Sequence, residues 1–321
     1  MKVAVQLFGH LRSYESTYEY LFAHILDKYD CDVFIHTWDE LEHRDPTWHK
    51  QNYDIPDNNV NAQKVKGIYS PKNILIESNV SVRENGFFNR DITLRGLKAM
   101  LYSQYKVNQI REEYQETHGV EYDFVITLRP DVLVLAELDL NRYVQEFSFS
   151  DRASVHFSNG MHVHMDGTKK ILTPLAIDLF FIAKPKVAGD ICSSYINFNK
   201  YYVDYSSTYI DDINASEASY LEAIQSKGIV PKYYAFPYVV KRLRGDKHLI
   251  VGMECLSNFT RKLELPDFIE EYMSLKPTAI SRILNALPDK VLGKLKKQLT
   301  RSKRTIGNLI ELCDLIRLNR N

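Results

Sequence analysis

Arg129 and Asp131 stand two residues apart at the end of the run Tyr122-Asp-Phe-Val-Ile-Thr-Leu-Arg129-Pro-Asp131. A guanidinium and a carboxylate so placed suit a nucleotide diphosphate, held directly or through a divalent metal. Phe124 to Leu128 are β-branched or apolar without alternation, the pattern of a central strand covered on both faces. Pro130 lacks a ladder donor and ends that strand. In open α/β sheets ligands bind at the C-terminal edge, where this pair falls. The plainer reading of the same residues is a surface ion pair at a strand end.

Further along the chain, Asp178 lies inside the apolar run Leu175-Ala-Ile-Asp178-Leu-Phe-Phe-Ile. A carboxylate there is costly unless it has a partner or a task, so Asp178 is a candidate general base, with helix capping or an arginine partner as the alternative. His162 and His164 at i, i+2 on a strand would share a face. With Asp166 they could bind a metal, but no Cys or further His follows at ligand spacing, and lining an acceptor cleft suits them better. Asp211 and Asp212, in a Tyr-rich loop, are candidates for acceptor or metal contact. Tyr201, Tyr202, Tyr205, Tyr209, Tyr233, Tyr234 and Tyr238 offer apolar ring faces, with hydroxyls for hydrogen bonds, on which a ligand could pack.

The elements that position these residues alternate over the first half of the chain. Lys2–Phe8 reads as a strand, followed by a loop with Gly9 and Arg12 and a helix carrying Leu21, Phe22, Ile25 and Leu26 on one face. Ser16 and Glu19 have capping-box spacing at its start. Strands are expected over 32–36 and 72–77, separated by a polar excursion too long for a simple connection. A helix over 92–117, closed by Gly119, leads into the strand that ends at Arg129. Strands or a hairpin are expected over 154–157 and 160–166, helices over 185–202 and 215–227, and an extended aromatic segment over 229–240. This alternation predicts a doubly wound, mainly parallel sheet flanked by helices.

The 321 residues carry a formal net charge of zero, but the charge is uneven. From Lys276 onward there are eleven Lys and Arg against three Asp and Glu, with Ile280, Ile283, Leu284, Leu287, Val291, Leu292 and Leu295 at helical spacing. Residues 271–321 therefore read as a basic amphipathic tail following a catalytic domain over 1–270. Such a tail can lie on an anionic membrane surface, or pack as a helical subdomain or dimer contact. Having no Phe, Tyr or Trp from Lys276 on, it is a poor nucleic-acid binder. No stretch has the apolar run needed to span a bilayer, and the N-terminus lacks a signal-peptide pattern. Four scattered Cys without a Cys-x-x-Cys pair fit reduced thiols in a cytoplasmic protein.

Taken together, Gln6-Leu-Phe-Gly9-His-Leu-Arg12, Cys31-Asp-Val-Phe-Ile-His36-Thr-Trp38, Leu101-Tyr-Ser-Gln-Tyr-Lys106, the run ending Arg129-Pro-Asp131, and Asp178-Leu-Phe-Phe resemble a family of bacterial surface-polysaccharide glycosyltransferases, of lipopolysaccharide and capsule type. The resemblance covers roughly the first two-thirds of the chain, in order, and not the tail. It implies a GT-A-like, Rossmann-like domain that binds a nucleotide-sugar donor and transfers the glycosyl group to a glycan acceptor. By the same resemblance Gln6, Gly9, Arg12, His36, Lys106, Arg129 and Asp131 surround the nucleotide sugar. Asp131 matches one carboxylate of the Asp-x-Asp element of such enzymes, while Arg129 replaces the other. A single carboxylate is a weak metal ligand set, which leaves dependence on Mn2+ or Mg2+ open.

Three functional classes follow. The first is a glycosyltransferase extending a lipid-linked glycan, held by its basic tail against the inner face of the cytoplasmic membrane. The second is a nucleotidyltransferase, which would call for a glycine-rich basic loop after the first strand, where this chain has one glycine and no lysine. The third is a catalytically silent carbohydrate-binding or scaffold protein.

Overall fold

The computed structural model describes residues 1–43, 57–78, 94–135, 137–148, 152–156, 161–166, 169–174, 179–203, 215–234, 238–241 and 247–249. All belong to the unit Met1–Ile250. The strands are β1 (Lys2–Phe8), β2 (Asp30–Trp38), β3 (Asn73–Glu77), β4 (Phe124–Leu128), β5 (Val132–Val134), β6 (Arg152–His156), β7 (Met161–Asp166), β8 (Lys169–Pro174), β9 (Phe180–Ala183), β10 (Val230–Tyr234), β11 (Tyr238–Lys241) and β12 (Lys247–Leu249). The α-helices are α1 (Tyr18–His24), α2 (Ala62–Tyr69), α3 (Leu94–His118), α4 (Pro185–Cys192) and α5 (Ala215–Gln225).

Seven strands form one sheet in the order β10-β6-β9-β4-β1-β2-β3. Every pairing in it is parallel except those of β9, which runs against both β4 and β6. The expected mixed α/β, mainly parallel sheet is thus the architecture. A second sheet, β12-β11-β5, is antiparallel, and β7 pairs with β8 as a hairpin. The hairpin partner of β7 is therefore β8, whereas the segment around Ser154 joins the main sheet as β6.

β4 is buried at every position, as its unalternating sequence demands. Ala4 and Phe8 of β1, Phe34 of β2 and Val125 of β4 meet Leu101 and Val107 of α3 in the main core. On the other face Phe147 packs on Phe124, with ring centroids 4.9 Å apart. Burial at this scale, about 25 cal/mol per Å² of apolar surface, is what fixes the sheet register.

Local details depart from expectation in three places. The Ser16/Glu19 capping box does not form. Tyr14–Ser16 is a 3₁₀ turn, and Thr17 precedes α1 with its hydroxyl donating to Tyr14 O and to Pro130 O (2.6 Å). Within the polar excursion, α2 forms on an Asn61 cap whose side chain accepts from Lys64 N. The helix expected over 185–202 is α4 followed by a 3₁₀ segment, Ser193–Asn197, and a π-helical turn, Asn199–Val203. Gly119 and Gly228 close α3 and α5 with φ of 62° and 75°.

Candidate functional site at the C-terminal edge of the sheet

The chain leaves β4 through a turn in which Val132 N donates to Arg129 O (3.1 Å), and enters β5 of the second sheet. Asp131 thus lies where the two sheets meet. Its carbonyl accepts from Lys241 N (2.8 Å) of β11, and its side chain is fully buried. Arg129 grips that carboxylate with two nitrogens, Nε to Oδ1 at 2.9 Å and Nη2 to Oδ2. Arg12 reaches Oδ2 from the loop after β1, Nη1 at 3.0 Å. One carboxylate therefore holds two guanidiniums side by side.

The β1 loop is shaped for this. Gly9 has φ of 87° and Arg12 a left-handed φ of 47°, with Arg12 N donating to Leu41 O (2.9 Å). Glycine at position 9 answers the backbone and not crowding, since nothing lies within 4 Å of a Cβ built there. Arg12 Nε also donates to Glu42 Oε2 (2.8 Å), and Asn58 fixes Glu42 through its backbone N–H (2.9 Å) and C=O (2.7 Å). Burial alone would raise the Glu42 carboxyl, but Arg12 and His43 outweigh it and hold it well below the usual carboxylate range. Burial would lower Arg12, and Glu42 with Asp131 reverses that, so the guanidinium stays charged.

Charges in this cluster balance, yet donor capacity remains. Among the described residues Arg12 Nη2 and Arg129 Nη1 take no hydrogen bond, and the two side chains are 12% and 13% exposed. Each arginine can therefore donate outward while its inner edge stays fixed on Asp131.

A second network joins the loop to β2 and β3. Gly9 N donates to Ser103 Oγ (2.6 Å), which lies 2.6 Å from His36 Nδ1, and His36 Nε2 lies 2.9 Å from Glu77 Oε2. Burial pushes His36 down to about 4, so the ring is neutral at physiological pH. Ser103 then donates to Nδ1, and Nε2–H donates to Glu77. Tyr102 OH donates to the same carboxylate at 3.1 Å.

No family model matches the chain, and no curated protein matches it in sequence. Many solved structures match it, two of which illustrate the likeness. One is a 4-diphosphocytidyl-2C-methyl-D-erythritol synthase, 9% identical over 73% of this chain and 88% of that one, with a TM-score of 0.38. The other is the Francisella tularensis 2-C-methyl-D-erythritol 4-phosphate cytidylyltransferase, 11% identical over 81% of this chain and 98% of that one, with a TM-score of 0.32. Similarity of this grade carries no argument about chemistry. The resemblance to surface-polysaccharide glycosyltransferases rests on the sequence motifs alone.

Of the residues singled out by sequence, the fold gathers Arg12, Arg129 and Asp131 in one contact. Gly9 and His36 lie in the adjoining network. Gln6 is fully buried below it, accepting from Thr127 Oγ1 (2.9 Å) and donating to Asn108 Oδ1 (3.2 Å). Lys106 is half-buried on α3 with Nζ over the Tyr102 ring, 5.6 Å from its centroid. Asp178, Asp211, Asp212 and the basic tail lie outside the described residues. His162 and His164 pair with Thr173 and Ile171 in the β7–β8 hairpin. Tyr201 and Tyr238, 9% and 0% exposed, are too buried to offer a ring face to a sugar. Asp131 is also a poor metal ligand as placed, because a divalent ion there would stand against two guanidiniums. Among the described residues no group of three or more His, Cys, Asp or Glu is arranged so that it could hold a metal ion. Glu42, Glu77 and Ser103 escaped the sequence reading. A serine in the inward stripe of α3 is the signal that marks the last of them.

Proposed function

We infer that the chain is a nucleotide-sugar-dependent glycosyltransferase whose diphosphate subsite is the Arg12–Asp131–Arg129 cluster. The observation that carries this reading is a pair of guanidiniums fixed on one buried carboxylate, each keeping an outward N–H edge at the ligand-binding edge of a parallel sheet. In glycosyl transfer the bond from the anomeric carbon to the β-phosphate oxygen breaks and the nucleoside diphosphate leaves with the added charge. Arg12 and Arg129 are donors that meet that charge without reorganising. The acceptor oxygen bonds to the anomeric carbon and its proton passes to a base, for which Asp178 is the candidate. The motif resemblance points to a lipid-linked bacterial surface glycan as acceptor, with the basic tail on an anionic membrane. Among the described residues no helix is long and apolar enough to cross a membrane.

The test is a panel of nucleoside diphosphate sugars, with and without Mn2+ or Mg2+ and with EDTA, read by thermal stabilisation and by product. Release of nucleoside diphosphate with sugar incorporation, lost in Arg129→Lys, is the expected result. Pyrophosphate released from a nucleoside triphosphate would replace this reading with nucleotidyl transfer, and no binding or turnover at all would leave a scaffold. For the tail, deleting 271–321 should weaken sedimentation with vesicles containing anionic phospholipid, and unchanged sedimentation would remove the membrane role.

A further inference from the structure

Glu77 closes β3 at the same edge as the arginines, and nothing in the reading above uses it. Its side chain is 28% exposed, and both its hydrogen-bond partners are neutral donors, His36 Nε2–H and Tyr102 OH. Among the described residues no Lys or Arg pairs with it. A carboxylate carries about four acceptor sites, and the Tyr102 contact to Oε1 is long, 3.3 Å, so Glu77 retains capacity for further neutral donors.

Its position gives that capacity a direction. Across the sheet Trp38 pairs with Glu77, Phe8 with His36 and Leu7 with Leu128. The strand that ends at Glu77 is therefore three strand spacings, roughly 14 Å, from the one that leads to Arg129. Between them lies the Gly9 loop, which Ser103 and His36 tie to Glu77. The edge is thus polar along its length, with cationic donors at one end and, at the other, a carboxylate that no Lys or Arg of the described residues ion-pairs. A nucleoside diphosphate has the same polarity, a polyanion at one end and a hydroxyl-rich ribose at the other. An anion at Glu77 repels the phosphates and accepts from neutral hydroxyls.

We propose that Glu77, positioned by His36 and Tyr102, accepts hydrogen bonds from the ribose hydroxyls of the bound nucleotide and makes the site selective for ribonucleotides. This rests on the nucleotide-sugar reading and names its sugar-recognition residue. The experiment measures affinities of the full chain for UDP, CDP, GDP and ADP and for their 2′-deoxy counterparts, in the wild type and in Glu77→Gln. The wild type should bind the preferred ribonucleotide about tenfold more tightly than its deoxy form, the equivalent of one hydrogen bond to a charged group. Glu77→Gln should narrow that ratio, with ribonucleotide affinity falling more than the affinity for the 2′-deoxy form, which keeps only its 3′-hydroxyl as a donor. Equal affinity of the wild type for the ribo and deoxy forms overturns the Glu77 assignment and leaves the nucleotide-sugar reading standing. Absence of binding to any of the eight nucleotides overturns both. The ribo-to-deoxy comparison in the wild type needs no variant to fold.

Discussion

Asp131 carries a heavy local obligation, because two guanidiniums with little solvent share its one charge. Asp131→Asn keeps the shape and removes the charge, leaving Arg12 and Arg129 close together with, among the described residues, Glu42 to balance them. Breaking a buried ion pair from one side costs roughly 3–5 kcal/mol, and a loss of about 3 kcal/mol is expected by urea denaturation. A loss below about 1 kcal/mol would mean that the carboxylate is not the shared anchor. Arg129→Lys tests the other half. A lysine keeps the charge but cannot hold both oxygens, so nucleotide affinity should fall about tenfold or more while stability falls less. Arg129, Asp131 and Arg12 were legible in the sequence because charged residues beside buried strands are rare enough to notice. Glu42 was not legible, because its pairing depends on Asn58 sixteen residues away holding its backbone.

At the scale of elements, legibility follows burial. β1 and β4 match their expected bounds because strands covered on both faces leave a mostly apolar run, and the one inward polar residue of each, Gln6 and Thr127, satisfy one another. α3 begins and ends within two residues of expectation, since Gly119 stops it. α2 was hidden because only Val65 and Tyr69 of its eight residues are buried, too short a stripe to show a period. The capping box failed because Thr17 is drawn into the site, its hydroxyl donating to Pro130 O. Tertiary bonding there outweighs a local motif worth about 1 kcal/mol. The loop after β1 yields its own expected outcome. Gly9→Ala meets no atom within 4 Å, so its cost is conformational alone, about 1 kcal/mol by chemical denaturation. Ser103→Ala should cost more, about 2 kcal/mol, because it strips partners from both Gly9 N–H and His36 Nδ1. If the two variants rank the other way, the Ser103 link is not what holds the loop.

For the molecule as a whole, the buried histidine makes stability a function of pH with a sign that can be worked out. His36 is fully buried, and burial pushes it down to about 4, whereas in the unfolded chain it titrates near 6.5. Above that value neither state holds the proton and His36 contributes no pH dependence. As pH falls from about 6.5 toward 4, the unfolded chain binds a proton that the fold excludes, so stability falls by about 1.4 kcal/mol per pH unit from this group. His10, pushed down to about 3 by burial and then by Arg12, acts in the same direction. Glu42 works in a lower window. Its depressed carboxyl contributes stability above the unfolded value near 4.5, and that contribution is lost as pH falls further. Urea titrations at pH 7.5 and pH 5.0 lie above the Glu42 window and isolate the histidines, and a loss of about 2 kcal/mol or more is expected on acidification. His36→Gln should be less stable at pH 7.5 but should lose distinctly less between the two pH values, because a non-titrating side chain removes its share of the slope. A wild type whose stability is flat over that interval would mean that His36 takes up its proton in the folded chain. The Gly9–Ser103–His36–Glu77 network would then run through an imidazolium ion-paired to Glu77, and the carboxylate would no longer be held by neutral donors alone.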